Sequence, residues 1–106
     1  MIIHDYITNG GKNLIKEYLD NLEISERTIG YTIRQKIRED GLKAFCGLNT
    51  RQLKGKLWEI KFSANRLMYV IKDKDNIYFV HACKKQKGRA ESFEMQKAIN
   101  RAKEIL

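Results

Sequence analysis

Five basic side chains, His81, Lys84, Lys85, Lys87 and Arg89, gather where the last of three β-type runs ends. They close the stretch LKGKLWEIKFSANRLMYVIKDKDNIYFVHACKKQKGR, residues 53–89. Ammonium and guanidinium groups delivered to one edge of a small sheet suit the gripping of phosphate, whose oxygens accept charge-assisted hydrogen bonds from them. His81 adds a side chain whose ordinary pKa lies near neutrality, and so the option of moving a proton as well as holding an anion. The same run also fits a solvated edge, where lysines discourage unwanted strand pairing, and His81 between Val80 and Ala82 also fits a packed structural histidine.

Composition agrees with an anionic partner. The 106 residues carry 21 Lys and Arg against 13 Asp and Glu, a formal charge of +8 with a pI of about 9.6. That balance points to nucleic acid first, an acidic protein second and a membrane surface third. The length predicts one domain over residues 1–106 with a single core. No run approaches the roughly 18 apolar residues of a membrane span, and the start MIIHDYITNGG lacks a basic-then-apolar signal pattern, so a cytoplasmic protein is expected. Cys46 and Cys83 form no C-x-x-C pair, and neither they nor His4 and His81 have zinc-like spacing. Ordinary thiols, no metal and no cofactor are the expectation. G-x-S-x-G, Walker and G-x-G-x-x-G motifs are lacking, which leaves acyl transfer, nucleotide hydrolysis and dinucleotide chemistry without support.

The elements that must position the cations can be read from periodicity. Ile2, Ile3 and Tyr6 suit a short first strand that ends at Asn9-Gly10-Gly11. Leu14, Ile15, Tyr18, Leu19 and Leu22 form the apolar face of a helix. A second helix, antiparallel to it, is predicted from an N-cap at Ser25, through a stripe of Ile29, Ile33 and Ile37, to a stop at Gly41. Glu23 and Glu26 flank the turn between them without any partner that suggests chemistry. Residues 42–56 read as an irregular connection. From Leu57 the period becomes two, with Trp58, Ile60 and Phe62 predicted to face the core and Glu59 and Lys61 to face outward. A turn at Ser63-Ala64-Asn65, the run RLMYVIK, a hairpin turn over residues 73–76 and the run IYFVHAC complete an antiparallel meander. Tyr69 lies three residues beyond Arg66, on the opposite sheet face, and is assigned to the core with Trp58 and Phe62. The tail from Ala90 is helical, with Met95, Ala98, Ile99, Ala102 and Ile105 on one face. The expected architecture is α+β in the order βααβββα, a twisted antiparallel sheet with its helices packed on one face.

The second half of the chain resembles a known family. Leu53, Gly55, LWEIK over residues 57–61, Arg66 with Tyr69, His81-Ala82 with Lys85, and Ala98 with Arg101 follow the pattern of the HigB, or phage-derived Gp49-like, branch of the RelE/ParE toxin superfamily. The resemblance implies a RelE-like fold and the toxin of a type II toxin–antitoxin system. Such a toxin is an mRNA interferase, an endoribonuclease that cuts mRNA in the ribosomal decoding site and inhibits translation until a cognate antitoxin protein silences it. It implies as partners that antitoxin, the ribosome and mRNA, and no membrane. Carried over by position, the candidate catalytic residues are Lys61, Arg66, His81, Lys85 and Arg89. The candidate RNA- and ribosome-binding residues are Lys84, Lys85, Lys87 and Arg89. The chain departs from the pattern at Lys61, where arginine is commoner, at Cys83, which replaces an aromatic, and at Glu91, which replaces a helix-opening proline. Met95 is the nearest match to a tyrosine that assists the RelE reaction.

Metal-independent RNA cleavage needs a group to take the proton of the ribose 2′-hydroxyl and others to hold charge on the phosphoryl oxygens. Arginine suits the second task, so Arg66 and Arg89 are the expected transition-state stabilisers. Crowding of Lys84, Lys85 and Lys87 favours loss of a proton from one of them, so Lys85 or His81 could serve as base or acid. Lys61 and Arg66 are expected opposite each other with Glu59 nearby, as a cross-strand ion pair in which Glu59 orients Arg66. Removal of a purely catalytic Arg66 or Lys85 should abolish growth inhibition with little change in melting temperature. Two rivals stay open: a ParE-like, gyrase-directed toxin of the same fold, and a non-catalytic nucleic-acid-binding relative.

Overall fold

Side-chain patterning accounts for the helices first. The computed structural model describes Met1 to Leu106. After strand β1 (Ile2–Asp5), the side chain of Asn13 accepts from the amides of Ile15 and Lys16 and so opens helix α1 (Leu14–Asp20). Helix α2 (Ile24–Asp40) starts one residue before the expected cap at Ser25, follows Glu23 without a side-chain cap, and stops at Gly41, whose φ of 63° suits glycine. Within its stripe Ile33 and Ile37 are buried, while Ile29 is exposed.

The segment expected to be irregular is ordered instead. A 3₁₀ segment (Gly41–Gly47) leads to a strand, β2 (Thr50–Lys54), followed by β3 (Leu57–Phe62), β4 (Asn65–Asp73), β5 (Asn76–Lys84) and helix α3 (Arg89–Ile105). The order is therefore βααββββα, an α+β architecture with one strand more than expected. A register shift between Gln52 and Lys54 breaks the β2 alternation, which is why its period was not evident in the sequence.

The sheet runs β1-β5-β4-β3-β2, and it is mixed rather than antiparallel. β1 pairs parallel to β5, with Ile2 opposite Asn76 and Asp5 opposite Phe79. Local sequence carries no trace of that pairing, because the partners lie at opposite ends of the domain. A buried ion pair fixes it: Asp5 accepts from both Nη1 and Nη2 of Arg34 at 2.7 Å, and Arg34 lies over the Phe79 ring.

The helices also do not share one face. α1 and α2 cover Ile60, Phe62, Leu67, Tyr69, Ile77 and Phe79, whereas α3 lays Ala98 and Ala102 on Leu57, Met68, Val70, Val80 and Cys83 across the sheet. Small residues let α3 approach closely, so both sheet faces are buried. This overturns the outward placement of Glu59, which is fully buried on the α3 side. Trp58 departs in the other sense: it alternates with the core residues but is 37% exposed. No helix is long and apolar enough to cross a membrane.

Candidate functional site

Strand register assembles one cluster of charge on the α3 side. Arg51 of β2 sits opposite Glu59, and Lys61 of β3 sits opposite Arg66 of β4, which is the cross-strand pair expected from sequence. The Glu59 carboxylate accepts from Arg66 Nε on one oxygen and from Arg51 Nε, 2.9 Å away, on the other, with Lys61 Nζ at 4.0 Å. Glu91, in the first turn of α3, places one oxygen 3.4 Å from Arg51 Nη2 and 3.5 Å from Arg66 Nη2. Arg66 is only 2% exposed. Burial disfavours its charge, but the hydrogen bond and charge of Glu59, with the charge of Glu91, outweigh this, and its pKa rises above the usual arginine value.

His81 makes a separate set of contacts on the same face. A shift in the β4–β5 register brings it opposite Met68 and turns it toward α3, where its Nε2 meets Glu94 and its Nδ1 lies 2.8 Å from Arg101 Nη1. Arginine can only donate, so Nδ1 is the acceptor, and Nε2 carries the proton it donates to Glu94. The ring is therefore neutral. Burial lowers its pKa, Glu94 opposes this, and Arg101 and Lys97 add to the lowering. Burial likewise disfavours ionised Glu94, but the His81 hydrogen bond and the charge of Lys97 prevail and lower its pKa. Arg101 also donates to the Val80 carbonyl and lies over the Tyr6 ring.

His81, Cys83 and Glu94 lie within 4.8 Å of one another and could be read as metal ligands. A metal at Nε2 would displace that proton while Arg101 still donates to Nδ1, leaving an imidazolate. Burial also pushes the Cys83 thiol up to about 11, away from thiolate. The His81–Glu94 hydrogen bond beside a protonated Cys83 fits a structural role better than a metal centre.

The five basic residues at the end of β5 take different directions. Lys84 points toward the paired helices, where Nζ donates to Asn65 Oδ1 at 3.0 Å and lies 3.8 Å from Glu26. Tyr18 donates to the same Asn65 oxygen, and Asn65 donates to Glu26, so Glu26 belongs to a structural network here. Lys85 continues the ladder through its amide to the Ala64 carbonyl, and alternation beyond Cys83, which faces Arg66, carries its exposed side chain to the α3 side. Lys87 and Arg89 are exposed in the link to α3 and at its first residue. Lys61 and Arg66 thus lie side by side on the α3 face of the sheet, with His81 on the same face but bound to Glu94 and Arg101; Lys85 and Arg89 are exposed near its end, and Lys84 faces the other layer.

Arg51, Glu94 and Arg101 were given no role in the sequence reading. Arg51 fell in the segment read as irregular. Glu94 and Arg101 hold His81 from positions seven apart on α3, a two-turn spacing that could have flagged them. The surface that remains combines three clustered cations, two carboxylates and an exposed basic link. It can hold a phosphodiester and place an amine beside it.

No curated protein matches the chain. The family model of the phage-derived Gp49-like proteins matches residues 17–103, which include α2, β2 to β5 and nearly all of α3. A match over so much of the sequence places this chain in the Gp49-like family, a family of RelE/HigB-like toxins.

Proposed function

We propose that this protein is the toxin of a type II toxin–antitoxin pair, with RelE-like topology, and that it acts in the cytoplasm as a ribosome-dependent mRNA endoribonuclease. The observation that carries this reading is the gathering of Arg51, Lys61 and Arg66 around Glu59 at the end of the sheet from which Lys85, Lys87 and Arg89 extend. In the reaction, the ribose 2′-hydroxyl attacks the adjacent phosphorus, its proton passes to a base, and the 5′-oxygen leaves with a proton from an acid. Arg66 and Arg89 hold the phosphoryl oxygens as negative charge grows. Lys61 keeps the field positive beside Arg66. Lys85 moves the proton, because the acceptor nitrogen of His81 is already occupied by Arg101. His81 then acts on structure, through α3. The ribosome supplies alignment of the scissile nucleotide. An antitoxin with an acidic segment fits the excess of positive charge and would cover this end of the sheet.

Arg66 is buried and bound by two carboxylates, and this favours a second reading, a relative that binds RNA without cutting it. Primer extension on a defined message in a reconstituted translation reaction separates them, with wild type and Lys85→Ala in parallel. Ribosome-dependent cuts that vanish in the variant support the nuclease. An intact message leaves the binding-only protein or a gyrase-directed, ParE-like toxin, which a DNA supercoiling assay tells apart.

A further inference from the structure

The two ends of the Arg66 guanidinium are served unequally. Nε donates to Glu59, but Nη2 is buried without any hydrogen-bond partner. Glu91 Oε1 lies 3.5 Å from it, and the same oxygen accepts a long hydrogen bond from Arg51 Nη2 at 3.4 Å. Charge-assisted N–H···O bonds close to about 2.7–2.9 Å, so this carboxylate gives Arg66 no hydrogen bond and Arg51 only a long one, while Arg51 Nη2 also lies 2.9 Å from Glu59 Oε1. The turn that carries it is also short of acceptors. Gly88 precedes α3 with no side-chain cap, and the first helical bond runs from the Ser92 amide to the Gly88 carbonyl, leaving the earlier amides without intrahelical acceptors. Glu91 is 29% exposed and can swing into solvent, whereas Arg66 is sealed in place.

We propose that the Glu91 carboxylate is an internal competitor for a phosphate-binding position formed by Arg51, Arg66 and the first turn of α3, and that an RNA phosphodiester displaces it. The proposal rests on the RNA-directed reading above and adds to it two residues, Arg51 as a ligand and Glu91 as the group that must leave. A phosphodiester presents two non-bridging oxygens in tetrahedral array. It can accept from Arg66 Nη2 and Arg51 Nη2 at once, where one carboxylate oxygen lies loosely between them. In the free protein Glu91 keeps a buried cation compensated, and on binding it lowers affinity by the contact it gives up.

The test uses the full chain and a fluorescent 2′-O-methyl oligoribonucleotide, which binds but cannot be cleaved, titrated by anisotropy over a series of salt concentrations. Glu91→Gln should bind about tenfold tighter than wild type, the scale of one nearby charge removed under moderate screening. Its dependence of log K on log salt should steepen by about 0.7, one further neutralised phosphate. Glu104→Gln removes the same charge from the exposed far end of α3 and should change affinity less than about threefold. Adding Arg51→Ala to Glu91→Gln should erase the gain. Equal affinity of the two Gln variants, or weaker binding by Glu91→Gln, overturns the proposal and reduces Glu91 to a tie between α3 and the sheet. Failure of both wild type and Glu91→Gln to bind the oligonucleotide overturns the RNA-directed reading itself, and the proposal with it.

Discussion

Replacing Glu59 by alanine tests whether one buried carboxylate holds the cationic cluster together. Glu59 is 0% exposed and its closest partner, Arg66, is 2% exposed. Without it, Arg66 keeps only Glu91 at 3.5 Å and makes no hydrogen bond there. Stripping a buried charge in this way costs about 3–5 kcal/mol. The reciprocal Arg66→Ala is milder, about 2–3 kcal/mol, because Glu59 retains Arg51 at 2.9 Å and Lys61 at 4.0 Å. At about 4 °C per kcal/mol for a domain of this size, the melting temperature should fall by about 12–20 °C and 8–12 °C respectively. The Arg66→Ala fall departs from what a purely catalytic Arg66 would give, a melting temperature that moves little. Urea unfolding followed by circular dichroism gives the three values needed, for each single variant and for the double. The double variant should cost less than the sum, since it leaves no buried charge unpaired. A Glu59→Ala cost smaller than that of Arg66→Ala, or strict additivity, would refute the account. The result also decides how activity data are read. An inactive Arg66→Ala protein cannot separate lost phosphate contact from lost fold, but Arg66→Lys keeps a cation beside Glu59 while removing the planar fork. Activity lost with the fold intact would then mark a phosphate contact.

Three further outcomes follow from the same geometry. His81 has a pKa depressed below 6.5, so the stability carried by its neutral form is fully present above that pH and is lost as pH falls below it, until the folded-state pKa is passed; urea midpoints from pH 8 to 5 should decline in wild type, and His81→Gln should flatten that decline, with an unchanged slope counting against the Arg101-to-Nδ1 bond. Trp58→Ala should cost about 1.5 kcal/mol rather than the roughly 3–5 of a fully buried tryptophan, since the ring is partly exposed; a thermal melt showing more than about 3 kcal/mol would mean it is core after all. In RNA-binding titrations Lys85→Ala should lower the salt slope by about 0.7 while Lys84→Ala leaves it unchanged, because Lys84 is turned toward Asn65 and Glu26; equal effects would put both lysines on the RNA.

What the sequence disclosed depended on how local each feature is. The β-type runs of β3 to β5, the hairpin turn after Asp73 and the stop at Gly41 are set by neighbouring residues, and they stand where the local pattern put them. The parallel pairing of β1 depends on Asp5 and Arg34, 29 positions apart, and no local pattern encodes it. The side taken by α3 was legible in principle. RLMYVIK and IYFVHAC are nearly continuous apolar runs, the mark of strands covered on both faces, and alternation in LWEIKF alone suggested an exposed face that α3 in fact covers. That covering also locates function. With helices over both faces, the sheet interior cannot meet a macromolecule. Buried Arg66 can reach an anion only where Lys61, Lys85, Lys87 and Arg89 remain at the surface, at the end of the sheet where β5 gives way to α3. A ligand that binds there must either meet Arg66 through the gap that Glu91 now occupies or be held by the exposed cations alone, and the salt slope of Glu91→Gln distinguishes those two modes because only the first adds a phosphate contact.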